Sequence, residues 1–171
     1  MIVVALEKLA NFPYTLPMPQ DFQTYDGFAI PASENLFDSH LKPEQVQQLS
    51  PAALAYVGDA VYELYIRSLY LFPPKKQQVY HQQVVTQVRA ETQAHYLQIL
   101  QPFLRERELD IVRRGRNAAT GKPRRLKGGI YQQASSLETL IGYLYLQDRQ
   151  RLQQLFSQID FPPTSSVNGE C

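Results

Sequence analysis

One segment, apolar on nearly every side, does most to restrict how this chain can fold. It runs from Pro51 to the Pro73-Pro74 pair, and its apolar residues recur at steps of three and four, which is typical of an α-helix. Ser50 is a good N-cap, and Pro51 suits the first helical position, where its missing N–H costs nothing. A helix with so few polar positions is expected at the centre of the fold. Its predicted core stripe consists of Leu54, Val57, Val61, Leu64, Ser68 and Phe72.

Four further segments carry helical patterns, and no part of the chain shows the alternation that marks a half-buried strand. We predict helices at about 76–100, with its many glutamines outward, and at about 105–116, 131–146 and 149–159. The apolar stripe of the helix at 131–146 consists of Leu137, Leu140, Ile141 and Leu144. The sequence therefore predicts an all-α bundle at 46–159, between an irregular N-terminal extension at 1–45 and a flexible C-terminal tail at 160–171.

Composition restricts the compartment and the partners. The chain has 171 residues, enough for one domain, and its only cysteine, Cys171, can neither form a disulfide within the chain nor build a metal site. No apolar stretch of about 18 residues occurs, so we expect no membrane span and a cytoplasmic location. The net charge of +1 gives no global attraction to nucleic acid, so any such attraction must be local.

Asp59 stands beside Gly58 in the middle of the apolar helix, where a carboxylate is costly. A buried carboxylate needs a cationic partner, a metal ion or a proton, and aspartate is also a poor residue for a helix interior. One interpretation is structural: Asp59 caps a neighbouring group or pairs with an arginine such as Arg67 or Arg89. The other interpretation is that Asp59 holds a metal ion.

Glu138 stands in similar surroundings, in the run SSLETLIGY, with Gly142 one turn away to allow another helix to approach closely. Alone, it too has a structural interpretation. Two such carboxylates facing each other on buried helices would form a site for Mg²⁺, which takes one or two carboxylates and keeps several waters. Those waters can supply the nucleophile for phosphodiester hydrolysis. Asp59 and Glu138 are therefore the candidate catalytic and metal-binding residues.

The segment 113–127, RRGRNAATGKPRRLK, holds seven basic residues and no acidic one. Its glycines and proline predict a loop rather than a helical face. A solvated charge run is the alternative interpretation, but in a near-neutral chain such a concentration is what phosphate binding requires. Arg113, Arg114 and Arg116 can each donate two hydrogen bonds to a phosphate, and Asn117 can reach a 2′-hydroxyl or a base edge. The candidate RNA-binding residues are Arg113, Arg114, Arg116, Asn117, Lys122, Arg124, Arg125 and Lys127.

These motifs resemble those of a known family. The run LAYVGDAVYE, at 54–63, resembles the signature helix of ribonuclease III catalytic domains. The run RRGRNA at 113–118, followed by ETLIGYLY at 138–145, is similar specifically to Mini-ribonuclease III, the branch that has the catalytic domain without a double-stranded-RNA-binding domain. The resemblance covers about 49–159, with the three motifs in the family's order.

The resemblance implies an α-helical homodimer whose two active sites each cut one strand of an RNA duplex. It implies Mg²⁺-dependent hydrolysis that leaves 5′-phosphate and 3′-hydroxyl ends, on the double-stranded stem of precursor 23S ribosomal RNA. It places Asp59 and Glu138 at the family's catalytic acidic pair. Two further acidic positions of the broader family are Ala55 and Ser135 here, as is typical of the Mini branch, so more water ligands are expected. A ribosomal protein or pre-ribosome is a further candidate partner.

Two other functions are consistent with parts of the sequence. One is a non-catalytic dimer of the same fold that binds double-stranded RNA, and the other is a helical interaction module with no RNA role. Retention of both Asp59 and Glu138 favours the enzyme over the first, and the acid-free basic segment disfavours the second. We therefore predict a cytoplasmic endoribonuclease that processes RNA.

Overall fold

Seven α-helices form the part of the chain that the structure, a computed structural model, describes: residues 41–119 and 128–163. They are α1 (Pro43–Gln48), α2 (Pro51–Leu69), α3 (Gln77–Val88), α4 (Ala90–Leu100), α5 (Glu106–Ala118), α6 (Gly128–Gln147) and α7 (Arg149–Phe156). A 3-10 turn, Gln101–Phe103, follows α4. No strand occurs within those two ranges, so the predicted all-α fold is confirmed. None of these helices is long and apolar enough to cross a membrane.

The central helix α2 begins as predicted, but only part of its predicted core stripe is confirmed: Leu54 is buried and Val61 packs against the core. Ser50 Oγ accepts a hydrogen bond from the backbone N–H of Ala53 at 3.1 Å, and a proline occupies the first turn. Leu64 of the predicted stripe is 55% exposed, and Phe72 lies beyond the helix end and is 78% exposed. Besides Leu54, the buried residues of α2 are Gly58, Tyr62 and Ile66, none of which was predicted in the stripe.

Gly58 explains why this side of α2 faces the core. Because Gly58 has no side chain, the backbone of a second helix can contact the backbone of α2 at this position. Helix α6 packs against α2 there. The larger apolar residues on the other side of α2 are consequently left at the surface. Tyr56 is 83% exposed and Leu64 is 55% exposed.

Helix α6 is the second central helix, and its predicted apolar stripe is confirmed. It packs against α2, α4 and α5, so most of the core touches it. Each of the four residues of its stripe is at most 3% exposed: Leu137, Leu140, Ile141 and Leu144.

The single helix predicted at 76–100 is two helices, because the chain is extended at Arg89, with φ −69° and ψ 151°. Thr92 accounts for the break: its hydroxyl donates to the Thr86 carbonyl at 2.8 Å and accepts from Arg89 Nε at 3.1 Å. A threonine side chain that bonds nearby backbone in this way competes with continuous helix. Many glutamines of this region are outward as predicted, namely Gln77, Gln78, Gln82 and Gln98, whereas Gln87 is 5% exposed and Gln93 is 2% exposed.

Helices α5 and α7 are joined by an ion pair between Glu108 and Arg151, with Nε and Oε1 2.8 Å apart. Both side chains are largely buried, and the arginine holds the pKa of the Glu108 carboxyl below its usual value, against the opposing effect of burial. Asp148 caps α7 by accepting from the backbone N–H of Arg151 at 2.9 Å. These contacts fix the outer helices on the α2–α6 core.

The described part of the chain includes residues on both sides of the predicted 46–159. Helix α1 begins at Pro43, within the segment assigned to the irregular extension. At the other end, Phe161 packs edge-on against Tyr96, and the Tyr70 hydroxyl donates to the Pro162 carbonyl at 3.0 Å. The remainder of the predicted extension and tail, 1–40 and 164–171, lies outside the described residues, as does 120–127.

Candidate active site

Asp59 lies on the side of α2 that lines a cavity of about 320 Å³. Ala52, Ala55 and Tyr56 line the same cavity, and their spacing from Asp59 places all four on one helical face. Asp59 is exposed, so the burial expected for this carboxylate is wrong. Its apolar neighbours in sequence point to other faces of the helix.

Glu138 reaches the same cavity from α6 and is half-buried. Tyr131, Ser135 and Thr139 of α6 line the cavity with it. The structure thus brings Asp59 and Glu138 to one cavity. Ala55 and Ser135, the two positions at which the broader family's acidic residues are missing, line this cavity as well.

Two glycines bring the carboxylates together. A Cβ on Gly58 would lie 1.8 Å from the carbonyl oxygen of Glu138, inside van der Waals contact. A Cβ on Gly142 would lie 1.9 Å from the carbonyl oxygen of Leu54. Because neither glycine has a side chain, the backbones of α2 and α6 touch beside Asp59 and Glu138. The close approach predicted for Gly142 from the sequence is therefore confirmed.

The electrostatics of the cavity keep Glu138 partly protonated near neutral pH. Burial, followed by the nearby negative charge of Asp59, raises the pKa of Glu138 to about 7, and a hydrogen bond from the Gln93 side chain lowers it. The pKa of Asp59 is also raised, first by partial burial of its carboxyl and then by Glu63. Carboxylates gathered in this way form a site of excess negative charge, which a bound cation would relieve.

The arginines considered as structural partners of Asp59 are engaged elsewhere. Arg67 Nη2 pairs with Glu63 Oε1 at 2.5 Å, one turn along α2. Arg89 Nε donates to the Thr92 hydroxyl. Neither ion pair considered for Asp59 is therefore present among the described residues.

The donors at the cavity fit a magnesium ion. Within 41–119 and 128–163, no group of three or more His, Cys, Asp or Glu side chains is close enough to hold a metal. A structural zinc site, which requires four such ligands, is therefore a poor fit to the residues present. Mg²⁺ is usually bound by one or two carboxylates, with waters and substrate phosphates completing its octahedron. Asp59 and Glu138 supply that number.

The first half of the basic segment is helical, so the loop predicted for it is wrong in this part. Helix α5 continues to Ala118. Gly115, expected in a loop, is buried against α6, where a Cβ would lie 2.6 Å from Thr139 Oγ1. Tight packing of this kind compensates for the low helix propensity of glycine. The helix carries Arg113, Arg114, Arg116 and Asn117.

These four residues have different surroundings. Arg113 pairs with Asp110 on its own helix, and Arg114 Nη2 donates to the Leu49 carbonyl at 3.3 Å. Arg116 and Asn117 are exposed. Because Gly115, Ala118 and Ala119 line the cavity, the end of α5 that carries Arg116 and Asn117 borders the two carboxylates. The other predicted RNA-binding residues, Lys122, Arg124, Arg125 and Lys127, lie outside the described residues.

Three cavity residues with polar or aromatic side chains were not predicted from the sequence: Tyr56, Tyr131 and Thr139. A signal for two of them was present, because Tyr56 is three positions before Asp59, and Tyr131 is seven positions before Glu138. These spacings place each tyrosine on the same helical face as its carboxylate. Both tyrosines give the cavity aromatic walls beside the acidic pair.

Comparison with known proteins identifies the family of this chain. Residues 52–149 match the Ribonuclease III domain family. The Mini-ribonuclease 3 of Synechocystis sp. is 55% identical over 130 residues, which cover 74% of this chain and 91% of that protein. The Mini-ribonuclease 3 of Synechococcus sp. is 54% identical over 131 residues, which cover 76% of this chain and 95% of that protein.

A solved structure has the same fold. The crystal structure of a protein from Fusobacterium nucleatum superimposes with a TM-score of 0.60 at 28% identity, covering 63% of this chain and 90% of that one. The family match and the high identity to full-length relatives agree with the motifs at 54–63, 113–118 and 138–145. The chain therefore belongs to the ribonuclease III family, in its Mini-ribonuclease 3 branch.

Proposed function

We propose that this ribonuclease is a Mg²⁺-dependent endoribonuclease that cleaves double-stranded RNA at the cavity bordered by α2, α5 and α6. The observation that carries the proposal is that Asp59 and Glu138 line one cavity, which the basic end of α5 borders. A cation at the carboxylates and a phosphate backbone along the arginines would then lie side by side. Membership of the ribonuclease III family supports the same activity.

Asp59 and Glu138 are the proposed catalytic and metal-binding residues. When bound, Mg²⁺ supplies charge that offsets the negative scissile phosphate and makes a nearby water more acidic. The Glu138 carboxyl, whose pKa is about 7, would give up its proton on cation binding, because a metal ligand must be deprotonated. The exposure of Asp59 to solvent leaves room for a phosphodiester to reach the pair.

We propose that the protein contacts the sugar-phosphate backbone of the RNA rather than its bases. Proteins hold double-stranded RNA mainly through phosphates and 2′-hydroxyls, because its base edges lie in a deep and narrow groove. Arg116 and Asn117, beside the cavity, are suited to contact the strand being cut. Arg113 and Arg114 lie on the same helix, and the remaining basic residues at 122–127 would extend this contact along the duplex.

The active form is proposed to be a homodimer. Cutting both strands of a duplex needs two sites in a symmetric array, which a two-fold dimer supplies. Helix α2 and the residues after it leave large apolar side chains at the surface, which an interface with a second copy would cover. This exposed apolar face consists of Leu64, Leu71 and Phe72, which are 55%, 63% and 78% exposed. Burying this face against a second copy would remove it from water.

The proposed substrate is the double-stranded stem formed by the ends of precursor 23S ribosomal RNA, in the cytoplasm. Cleavage would leave 5′-phosphate and 3′-hydroxyl ends, and a ribosomal protein or pre-ribosome could present the stem. The resemblance of the motifs at 113–118 and 138–145 to Mini-ribonuclease III supports this choice.

The test is incubation of the purified chain with an end-labelled 23S precursor stem, with Mg²⁺ and with EDTA. We expect Mg²⁺-dependent cleavage of the duplex, no cleavage of either strand alone, and products that accept a 3′ ligation without prior phosphatase treatment. A matched unrelated duplex of equal length separates selectivity for this stem from general duplex cleavage. Equal cleavage in EDTA, or cleavage of single strands only, would overturn the proposal.

A further inference from the structure

Tyr131 lines the cavity that holds Asp59 and Glu138, but the proposed reaction does not yet use it. It belongs to the first turns of α6 and is half-buried, so neighbouring residues restrict its side chain. Tyr56, the other tyrosine of this cavity, is 83% exposed and is not restricted in this way. Tyr131 is therefore the aromatic residue of the cavity whose position is better defined.

The hydroxyl of Tyr131 has no hydrogen-bond partner in the part of the chain that the structure describes. The tyrosines that stabilise the fold differ in this respect. The Tyr62 hydroxyl donates to the Gln87 carbonyl at 3.0 Å, and the Tyr80 hydroxyl donates to the Leu71 carbonyl at 3.0 Å. Because a tyrosine hydroxyl away from bulk water usually finds a partner, that of Tyr131 is available to a molecule bound in the cavity.

The position of Tyr131 on α6 separates its hydroxyl from the proposed cation. Tyr131 precedes Glu138 by seven residues, which is roughly 10 Å along a helix that rises about 1.5 Å per residue. Side chains of a helix tilt towards its N-terminus, so the phenol extends away from Glu138. Ligands of Mg²⁺ lie only about 2.1 Å from the ion. The Tyr131 hydroxyl is therefore placed to contact RNA beside the phosphate that the cation would hold, not to bind the cation.

A ribose 2′-hydroxyl is the group beside that phosphate that best matches a phenol. Both hydroxyls can donate a hydrogen bond and accept one. An RNA duplex displays its 2′-hydroxyls in a wide and shallow minor groove, where a side chain can reach them. Phosphates bind more strongly to charged donors, which the neighbouring helix α5 supplies with its arginines.

We infer that Tyr131 is a specificity-determining residue, whose hydroxyl hydrogen-bonds the ribose 2′-hydroxyl of a nucleotide next to the cleaved linkage. This inference rests on the proposed function, which places the strand being cut in this cavity. The contact would distinguish RNA from DNA at that nucleotide, because DNA lacks the 2′-hydroxyl. The loss of one such hydrogen bond typically costs roughly three- to tenfold in an equilibrium constant.

The test compares Tyr131→Phe with Tyr80→Phe in the full-length chain, by kcat/KM for duplex cleavage in Mg²⁺. Each variant loses one phenol hydroxyl, and Tyr80 is a matched control because it is also half-buried and does not line the cavity. The substrates are an all-RNA duplex and copies in which one nucleotide beside the mapped cut carries a 2′-fluorine. The fluorine keeps the ribose pucker of RNA and removes the hydroxyl. Thermal unfolding in EDTA measures the stability of each variant.

We expect Tyr131→Phe to lower kcat/KM on the all-RNA duplex roughly three- to tenfold and to melt with the wild type, whereas Tyr80→Phe should keep the wild-type kcat/KM. At one nucleotide beside the cut, the fluorine should cost the wild type and Tyr80→Phe a similar factor. It should cost Tyr131→Phe nothing further, because the contact is already lost.

Two results would overturn this inference alone. One is a wild-type kcat/KM in Tyr131→Phe on the all-RNA duplex. The other is a Tyr131→Phe variant that loses as much as the wild type to the fluorine at every position, because its hydroxyl would then contact something other than a 2′-hydroxyl. A wild-type chain that cleaves no duplex overturns the proposed function, and this inference with it.

Discussion

Replacing Glu138 by glutamine should stabilise the metal-free protein at pH 8, although the same change removes a proposed catalytic group. Burial of the carboxylate, followed by the charge of Asp59, raises the pKa of Glu138 from 4.5 to about 7 in the folded chain. Between those values the folded chain holds a proton that the unfolded chain releases. The stability that this proton contributes is present below pH 4.5 and is lost as the pH rises through about 7.

The size of the effect follows from the pKa. Ionising Glu138 at pH 8 costs the folded state at most roughly 3.5 kcal/mol, since each pKa unit corresponds to about 1.4 kcal/mol and the pKa rises from 4.5 to about 7. Glu138 is only half-buried and faces an open cavity, so solvent screening reduces this cost to about 2 kcal/mol. Glu138→Gln keeps the shape without the charge. Its melting temperature in EDTA at pH 8 should exceed that of the wild type by on the order of 5 °C.

Thermal unfolding followed by circular dichroism, in EDTA at pH 8 and at pH 5, measures this difference. At pH 5 the wild-type carboxyl carries its proton, so most of the advantage of Glu138→Gln should disappear. A variant that melts below the wild type at pH 8 refutes the reasoning. An advantage of the same size at both pH values refutes it as well, because it would then have no connection with ionisation of Glu138.

Three further substitutions test the packing of α2 against α6, the proposed dimer and the proposed binding of RNA. Gly58→Ala should lower the free energy of unfolding by about 3 kcal/mol or more in urea titrations, because its Cβ would overlap the backbone of α6. Leu64→Glu should turn the proposed dimer into a 19.7-kDa monomer in light scattering, because it charges the exposed apolar face. Replacing Arg124, Arg125 and Lys127 by alanine should flatten the slope of log affinity for duplex RNA against log salt, by roughly one unit for each phosphate that the variant no longer neutralises.

Each of these changes has a matched control. Gly129→Ala, where a Cβ meets open space, should leave the free energy of unfolding within about 1 kcal/mol of the wild type. Leu109→Glu charges a leucine of α5 that is 42% exposed and should not change the molar mass in solution. Lys76→Ala removes an exposed charge outside the basic segment and should leave the salt slope unchanged. A control that behaves like its test variant would remove the support for that prediction.

Helix α2 shows why its start could be predicted from the sequence while its end at Leu69 and most of its buried face could not. Ser50 and Pro51 act through local backbone geometry, so their pattern is sufficient to locate the start of the helix. The buried face depends on contact with α6, and Gly58 contributes to it by lacking a side chain. A search for large apolar residues at helical spacing passes over such a position and selects Leu64, which is exposed.

The candidate site likewise combines features that have a local sequence pattern with features that depend on the packing of distant helices. Asp59 and Glu138 could be singled out because a carboxylate is unusual among apolar residues, although Asp59 is in fact exposed on its helix. The burial of Gln93, which is 2% exposed, could not have been found from the sequence. It depends on the packing of α4 against α6 and on the break at Arg89, neither of which leaves a local pattern.

The central claim is that Asp59 and Glu138 together hold the cation that cleaves RNA, and Asp59→Asn tests it most directly. The measurement is the single-turnover cleavage rate of a labelled RNA duplex at saturating protein in Mg²⁺, with duplex affinity measured in parallel. Losing a metal ligand should remove several kcal/mol of transition-state stabilisation, a fall of roughly 1,000-fold in rate, with duplex affinity retained. A folded Asp59→Asn variant that cleaves at close to the wild-type rate would contradict the account.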